Sequence, residues 1–177
     1  QIESQIIQAN GQGAEIIVFP ELCITSYSCG DLFFQQTLLD EAEMGLIRLM
    51  NFTRSMDIIC IVGIPVSFGG GLMNCAVVLQ KGKLLGLVPK TFLPNYKEFY
   101  ERRWFTPATD LPKDATVWLC GQEIPVSART LFRTPSCRFG VELCEDLWAP
   151  IPPSSTLAMQ GAEIIFNLSA DNETIGK

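Results

Sequence analysis

Arg138-Phe139-Gly140-Val141-Glu142-Leu143-Cys144-Glu145-Asp146-Leu147-Trp148 reads as a strand that runs into a cysteine and then into a turn with two carboxylates. The chain has no histidine among its 177 residues. Ser-His-Asp and Cys-His systems, which need an imidazole as proton carrier, are therefore excluded within it. A nucleophilic Cys144 has to find its base in a carboxylate or an amine. Two other segments offer both, Phe19-Pro20-Glu21-Leu22 and Val88-Pro89-Lys90-Thr91-Phe92. Each places one charged residue just past an apolar, strand-like run, so the three side chains are predicted to converge at one edge of a sheet. The first reading of these residues is a Glu-Lys-Cys hydrolase.

Each residue also has a plainer reading. A thiol is mostly protonated at neutral pH and needs a base or a cation to act. Cys144 is otherwise one more buried structural cysteine. A carboxylate beyond a strand buried on both faces is costly to desolvate unless it is paired, which points Glu21 toward a functional partner. Its alternative is a solvated loop residue or a helix cap. Lys90 could hold a thiolate and then an oxyanion, or it is a surface lysine after a hairpin.

Hydrophobic residues make up 47% of the chain and charged ones 18%, which suits a globular domain with a sizeable core and argues against disorder. The 13 basic residues stand against 19 acidic ones, a formal charge of −6 with no Lys/Arg cluster to offset it, which disfavours a nucleic-acid partner. Arg102-Arg103, beside Glu98 and Glu101, reads as local pairing. No apolar run reaches the roughly 18 residues that cross a bilayer, so no membrane is expected. Seven cysteines without C-x-x-C spacing, several inside runs such as Ile58-Ile59-Cys60-Ile61-Val62, suggest a reduced, cytoplasmic setting with neither disulfides nor zinc. The opening Gln-Ile-Glu-Ser-Gln has no signal-peptide pattern and no initiator Met, so a missing upstream portion is expected.

Ile2, Ile6 and Ile7 give residues 1–10 one apolar helical side, closed by Gly11 and Gly13. Residues 15–19 read as a short, fully buried strand. Asp31 is read as the cap of a short helix over Leu32-Phe33-Phe34, and residues 37–56 as an amphipathic helix. A second buried strand is expected at 57–63 and a glycine-rich turn at 68–72. A hairpin follows, with strands at 73–80 and 83–88. Residues 89–114 read as irregular, with short strands after them at 116–119, 123–126 and 130–134. Pro152-Pro153-Ser154-Ser155 starts a helix, and 162–168 is a further strand. These elements, without an obvious linker, make one α/β domain over residues 1–177.

With these residues in place, the chain resembles the nitrilase superfamily. Within it, the chain is most similar to the glutaminase domains of glutamine-dependent NAD synthetases. The likeness rests on FPELCITSYSCGDLF (19–33), VPKTFLPNYKEFYERRWF (88–105), VELCEDLWAPIPPS (141–154) and NLSADNETIGK (167–177). Its most specific parts are LPNYxEFYExRxF and CEDLWxPxPP, which nitrilases in general lack. The resemblance implies an α/β fold of the αββα sandwich type, here partial, with N- and C-terminal parts and the synthetase domain missing.

The resemblance also implies roles. Cys144 would be the nucleophile, Glu21 the base and Lys90 the support of the oxyanion. Glu101 would orient Lys90 or the leaving amide. Tyr96 would line the pocket, and Glu145 would hold the substrate's α-amino group and lend its backbone N–H to the oxyanion. Ser169 and Lys177 are candidates for a small hydroxyl and a basic residue near the substrate. Asp171 stands where the family pattern leads one to expect serine. The implied reaction is hydrolysis of the glutamine side-chain amide through a thioester. Its ammonia would pass to a synthetase domain of the same polypeptide, which amidates nicotinic acid adenine dinucleotide to NAD. No cofactor is implied for the glutaminase half, whereas ATP and Mg are implied for the synthetase half. Association into a homo-oligomer through helical faces is implied likewise.

Two other readings stay open at the level of sequence. One is a stand-alone amidase or carbamoylase with the same three residues and no anchor for an amino-acid head group. The other is a non-catalytic α/β binding module in which Cys144 is structural.

Overall fold

Four strands, β1 (Ile16–Val18), β2 (Ile59–Phe68), β3 (Gly71–Gln80) and β4 (Lys83–Pro89), hydrogen-bond in that order in the computed structural model, which describes residues 1–172. β1 runs parallel to β2, and the remaining pairs are antiparallel. Period-two alternation sorts their side chains between two faces. Cys60, Val62, Ile64 and Val66 of β2 and Met73, Cys75, Val77 and Leu79 of β3 belong to one cluster. Ile6 of α1 (Ile2–Gly11) and Ala42, Leu46, Leu49 and Met50 of α2 (Gln36–Phe52) cover it. The short helix α3 (Glu101–Trp104) follows in the 90–110 loop. A hairpin of β5 (Thr116–Leu119) and β6 (Gln122–Pro125) adds Leu119 and Ile124 to the same cluster.

The opposite face of the sheet presents Ile59, Ile61, Ala76, Val78 and Val88 to a second sheet. That sheet contains β7 (Phe132–Arg133), β8 (Arg138–Leu143) and β9 (Ile164–Leu168), with β8 parallel to β9. Phe132, Phe139, Val141, Leu143 and Leu168 complete this inner core, and full burial of each such side chain contributes about 1.5–3 kcal/mol. α4 (Pro153–Met159) lies on the outer face of β8. A Cβ at Gly140 would come 2.7 Å from Leu157 Cδ1, so the missing side chain there lets the helix sit directly on the strand. The described residues thus form helix, sheet, sheet and helix layers, the partial αββα sandwich expected.

Several expectations are corrected. β1 is only half-buried because it pairs, among the described residues, with β2 alone. Ile7 is exposed, and Ile6 alone of the three isoleucines of α1 is fully buried. β2 does not end at Gly63 but continues to Phe68. Gly63 is in the strand because the Pro20–Leu22 backbone crosses it so closely that a Cβ there would lie 2.2 Å from Leu22 N. Asp31 caps no helix. The 3-10 segment Tyr27–Phe34 is capped by Ser26, whose hydroxyl accepts the Ser28 N–H. Asp31 instead accepts hydrogen bonds from Arg103 (2.6 and 2.8 Å) and Trp104 (2.9 Å), so Arg103 pairs far along the chain and not with its sequence neighbours.

Candidate active site

Three strand ends carry the three residues to one edge of the sandwich. After β1, the Phe19 N–H bonds to Ile61 O and the Ile24 N–H to Gly63 O, at 2.9 and 3.1 Å, which pins a tight turn against β2. Leu22 takes a left-handed φ of 51° in that turn, and Glu21 is directed into the protein with 1% exposure. Lys90 follows β4 directly, its N–H bonded to Asn74 O at 2.9 Å, and its side chain is fully buried. Cys144 follows β8 and opens the 3-10 turn Cys144–Trp148 with a φ of 40°. That left-handed backbone costs a non-glycine residue about 1–2 kcal/mol and has to be held in place.

Asp146 holds it. Its Oδ2 accepts the Leu143 N–H at 3.1 Å, while Oδ1 accepts those of Thr91 and Phe92 at 3.0 and 2.8 Å. One buried carboxylate therefore ties the turn of Cys144 to the segment that leaves Lys90. Asn167 adds a bond from Nδ2 to Cys144 O at 3.3 Å.

The Lys90 ammonium lies 2.6 Å from Glu21 Oε1 and 2.6 Å from Glu101 Oε1. Tyr27 donates its hydroxyl to the same Glu101 oxygen at 2.7 Å, and Asn74 Nδ2 donates to Glu21 Oε1 at 2.7 Å. The Ala170 N–H reaches Glu21 Oε2 at 3.3 Å, and the neighbouring Ser169 hydroxyl donates to Cys144 Sγ at 3.3 Å. Burial pushes the Lys90 ammonium toward deprotonation, but the charges of Glu21 and Glu101 outweigh it and raise its pKa. Burial raises the Glu101 carboxyl despite Lys90. The Cys144 thiol is also raised, first by burial and then by the charge of Glu21, against the Ser169 hydrogen bond and Lys90. With two carboxylates to one ammonium, the cluster does not favour a thiolate at rest. It favours a thiol beside a proton acceptor.

Toward solvent, the Tyr96 hydroxyl donates to Glu145 Oε2 at 2.9 Å, which with burial raises the Tyr96 pKa, and the carboxylates of Glu145 and Asp171 act on the same phenol. A cleft of about 890 Å³ opens here, lined in part by Phe92, Leu93, Tyr96, Arg102 and Glu145. Asn172 bonds through Nδ2 to Glu98 Oε1, bringing the segment of Asp171 against this loop. The structure thus brings together Glu21, Lys90, Glu101, Cys144 and Ser169, with Tyr96, Glu145 and Asp171 at the mouth. Lys177 lies outside the described residues.

Sequence reasoning missed Tyr27, Asn74 and Asp146 as site residues. Asn74 had a signal, as the one polar side chain between Leu72 and Leu79 of β3. Among the described residues no group of His, Cys, Asp or Glu is placed to hold a metal ion, and all seven cysteines are free thiols.

The description "carbon-nitrogen hydrolase" belongs to the family that matches residues 1–176. The glutamine-dependent NAD(+) synthetase of Mycobacterium tuberculosis (strain ATCC 25618 / H37Rv) is 38% identical over 168 residues, covering 93% of this chain and 24% of that protein. The chain therefore spans about a quarter of the length of such relatives. A crystal structure of a glutamine-dependent NAD(+) synthetase from Cytophaga hutchinsonii superposes with a TM-score of 0.82 at 30% identity, over 99% of this chain and 28% of that one. An amidase from Nesterenkonia shares the fold alone, with a TM-score of 0.72 at 18% identity over 97% of this chain and 58% of that one. On this match along nearly its whole length, the chain belongs to the carbon-nitrogen hydrolase family.

Proposed function

We propose that this chain hydrolyses the side-chain amide of glutamine and releases ammonia, with Cys144 as nucleophile, Glu21 as general base and Lys90 as oxyanion support. The observation that carries this reading is the enclosed Lys90 between Glu21 and Glu101, with the 169–170 segment linking Glu21 Oε2 to the Cys144 thiol. As Cys144 Sγ attacks the amide carbon, its proton moves to Glu21. An ammonium has three N–H donors, and Lys90 uses two of them on Glu21 and Glu101. The third, with the backbone N–H of Glu145, meets the oxyanion. Glu21 then protonates the leaving nitrogen, the C–N bond breaks, and ammonia departs from a glutamyl thioester. Water attacks that thioester as Glu21 takes its proton, the thiolate leaves and is reprotonated, and glutamate is released.

Glu101, locked by Tyr27, keeps the ammonium in place. Glu145 and Tyr96 receive the α-amino end of the substrate, with Ser169 and Asp171 beside it. Likeness to glutamine-dependent NAD(+) synthetases supports delivery of the ammonia to a synthetase domain of the same polypeptide. That domain would use ATP and Mg to amidate nicotinic acid adenine dinucleotide, in the cytoplasm and within a homo-oligomer. The test is ammonia release from glutamine against a simple aliphatic amide by the natural full-length polypeptide. Strong preference for glutamine supports the reading, and equal turnover of both points to a general amidase.

A further inference from the structure

Asn74 lies in a β3 run whose other members from Leu72 to Leu79 are apolar and buried, and it is itself fully buried. A polar amide in such a run costs stability unless both of its ends are paired. Only one end is. Nδ2 donates to Glu21 Oε1 at 2.7 Å, whereas Oδ1 is enclosed without a hydrogen-bond partner among the described residues. The satisfied half of this amide is therefore aimed at the carboxylate to which the proposed hydrolysis assigns the proton transfers.

The effect on Glu21 is asymmetric. Oε1 receives two short bonds, from Lys90 Nζ at 2.6 Å and from Asn74 at 2.7 Å. Oε2 receives one long bond, from the Ala170 N–H at 3.3 Å. A carboxylate oxygen offers about two lone-pair sites, so Oε1 is filled and Oε2 keeps one open. Oε2 also faces the 169–170 segment, whose Ser169 hydroxyl touches Cys144 Sγ. The Asn74 backbone also holds the other partner, since its main-chain carbonyl accepts the Lys90 main-chain N–H at 2.9 Å.

We propose that Asn74 is a positioning residue for the proton transfer: with Lys90 it fills Glu21 Oε1 and leaves Oε2 as the atom that takes the Cys144 proton. This inference rests on the hydrolase reading above. It is tested in the natural full-length polypeptide by the pH dependence of glutamine turnover for wild type, Asn74→Leu and Asn74→Asp, with thermal melting to establish that each is folded. Asn74→Leu keeps the branched side-chain shape and loses the donor. It should lower kcat on the order of 10²-fold, the low end of a general-base contribution, with KM changed less than about threefold. Asn74→Asp should regain rate relative to wild type as pH falls from 8 to 6, because burial and the Glu21 charge raise the new carboxyl and let it take up a proton to donate, while Asn74→Leu does not. A purely structural asparagine gives no such pH-dependent recovery. Folded variants with wild-type kcat, or equal losses for both variants at every pH, overturn the inference and leave the hydrolase reading intact. A wild type that releases no ammonia overturns both.

Discussion

The Nζ of Lys90 lies 2.6 Å from Oε1 of Glu21, and neither side chain has any contact with solvent. Removing one partner of an enclosed pair leaves an uncompensated charge and costs roughly 3–5 kcal/mol. Lys90→Met strands two carboxylates, because Glu101 loses the same partner. The variant should lose about that much stability in urea denaturation at pH 8. It should recover part of it as pH falls, because buried carboxyls left without the ammonium take up protons in the folded state first. Unchanged stability at pH 8 would count against the pair as a structural element.

Gly63 admits the turn that carries Glu21. A Cβ there would lie 2.2 Å from Leu22 N, 2.8 Å from Glu21 C and 2.8 Å from Pro20 O, all backbone atoms that cannot swing away. Gly63→Ala should move Glu21 and lower kcat by more than about 10²-fold, the scale of a general-base contribution. Gly11→Ala, with nothing within 4 Å of its Cβ, is the matched control and should leave turnover unchanged.

Asp146 gives a pH dependence with a definite sign. Burial pushes its carboxyl from 3.8 up to about 7, against the lowering effect of the Phe92, Leu143 and Thr91 N–H groups. A folded-state value above the unfolded one means that the folded form binds the proton more tightly. The contribution to stability is then full below about 3.8 and is lost as pH rises through about 7. Urea denaturation between pH 4 and 8 should show stability declining over this window, and Asp146→Asn should remove that part of the slope. A variant with the wild-type slope would assign the decline to other groups.

The Tyr96–Glu145 pair at the cleft mouth predicts a split between substrates. Hydrogen bonds to charged groups contribute about 1.5–3 kcal/mol. Glu145→Ala should therefore raise KM for glutamine about 10- to 100-fold while changing little for an aliphatic amide that has no amino head group. Steady-state kinetics on both substrates decide this, and equal effects would favour a general amidase.

The sequence made the catalytic candidates legible for a physical reason. Glu21, Lys90 and Cys144 each stand just past an apolar strand, and strand ends of neighbouring β-elements meet at one edge. Gly63 misled because a glycine in an apolar run reads as a strand end, whereas here it makes room for a crossing backbone. Asp31 read as a cap because capping is local, but its partners Arg103 and Trp104 lie more than 70 residues away. Asn74 works through atoms distant in sequence, and Asp146 adds to its local bond with the Leu143 N–H two bonds to Thr91 and Phe92 more than 50 residues away, which no spacing rule encodes. Ile7 sat on the predicted apolar side of α1 and proved exposed, since tertiary covering decides which side of a short helix is buried.

Whether Cys144 carries the acyl group is decided by rapid acid quenching of the natural full-length polypeptide during turnover of isotopically labelled glutamine, followed by peptide mapping. A labelled glutamyl group is expected on the peptide containing Cys144 alone, with neither adduct nor ammonia from Cys144→Ala. Ammonia release that persists in Cys144→Ala, or turnover with a label on another of the seven cysteines, would contradict the thioester mechanism.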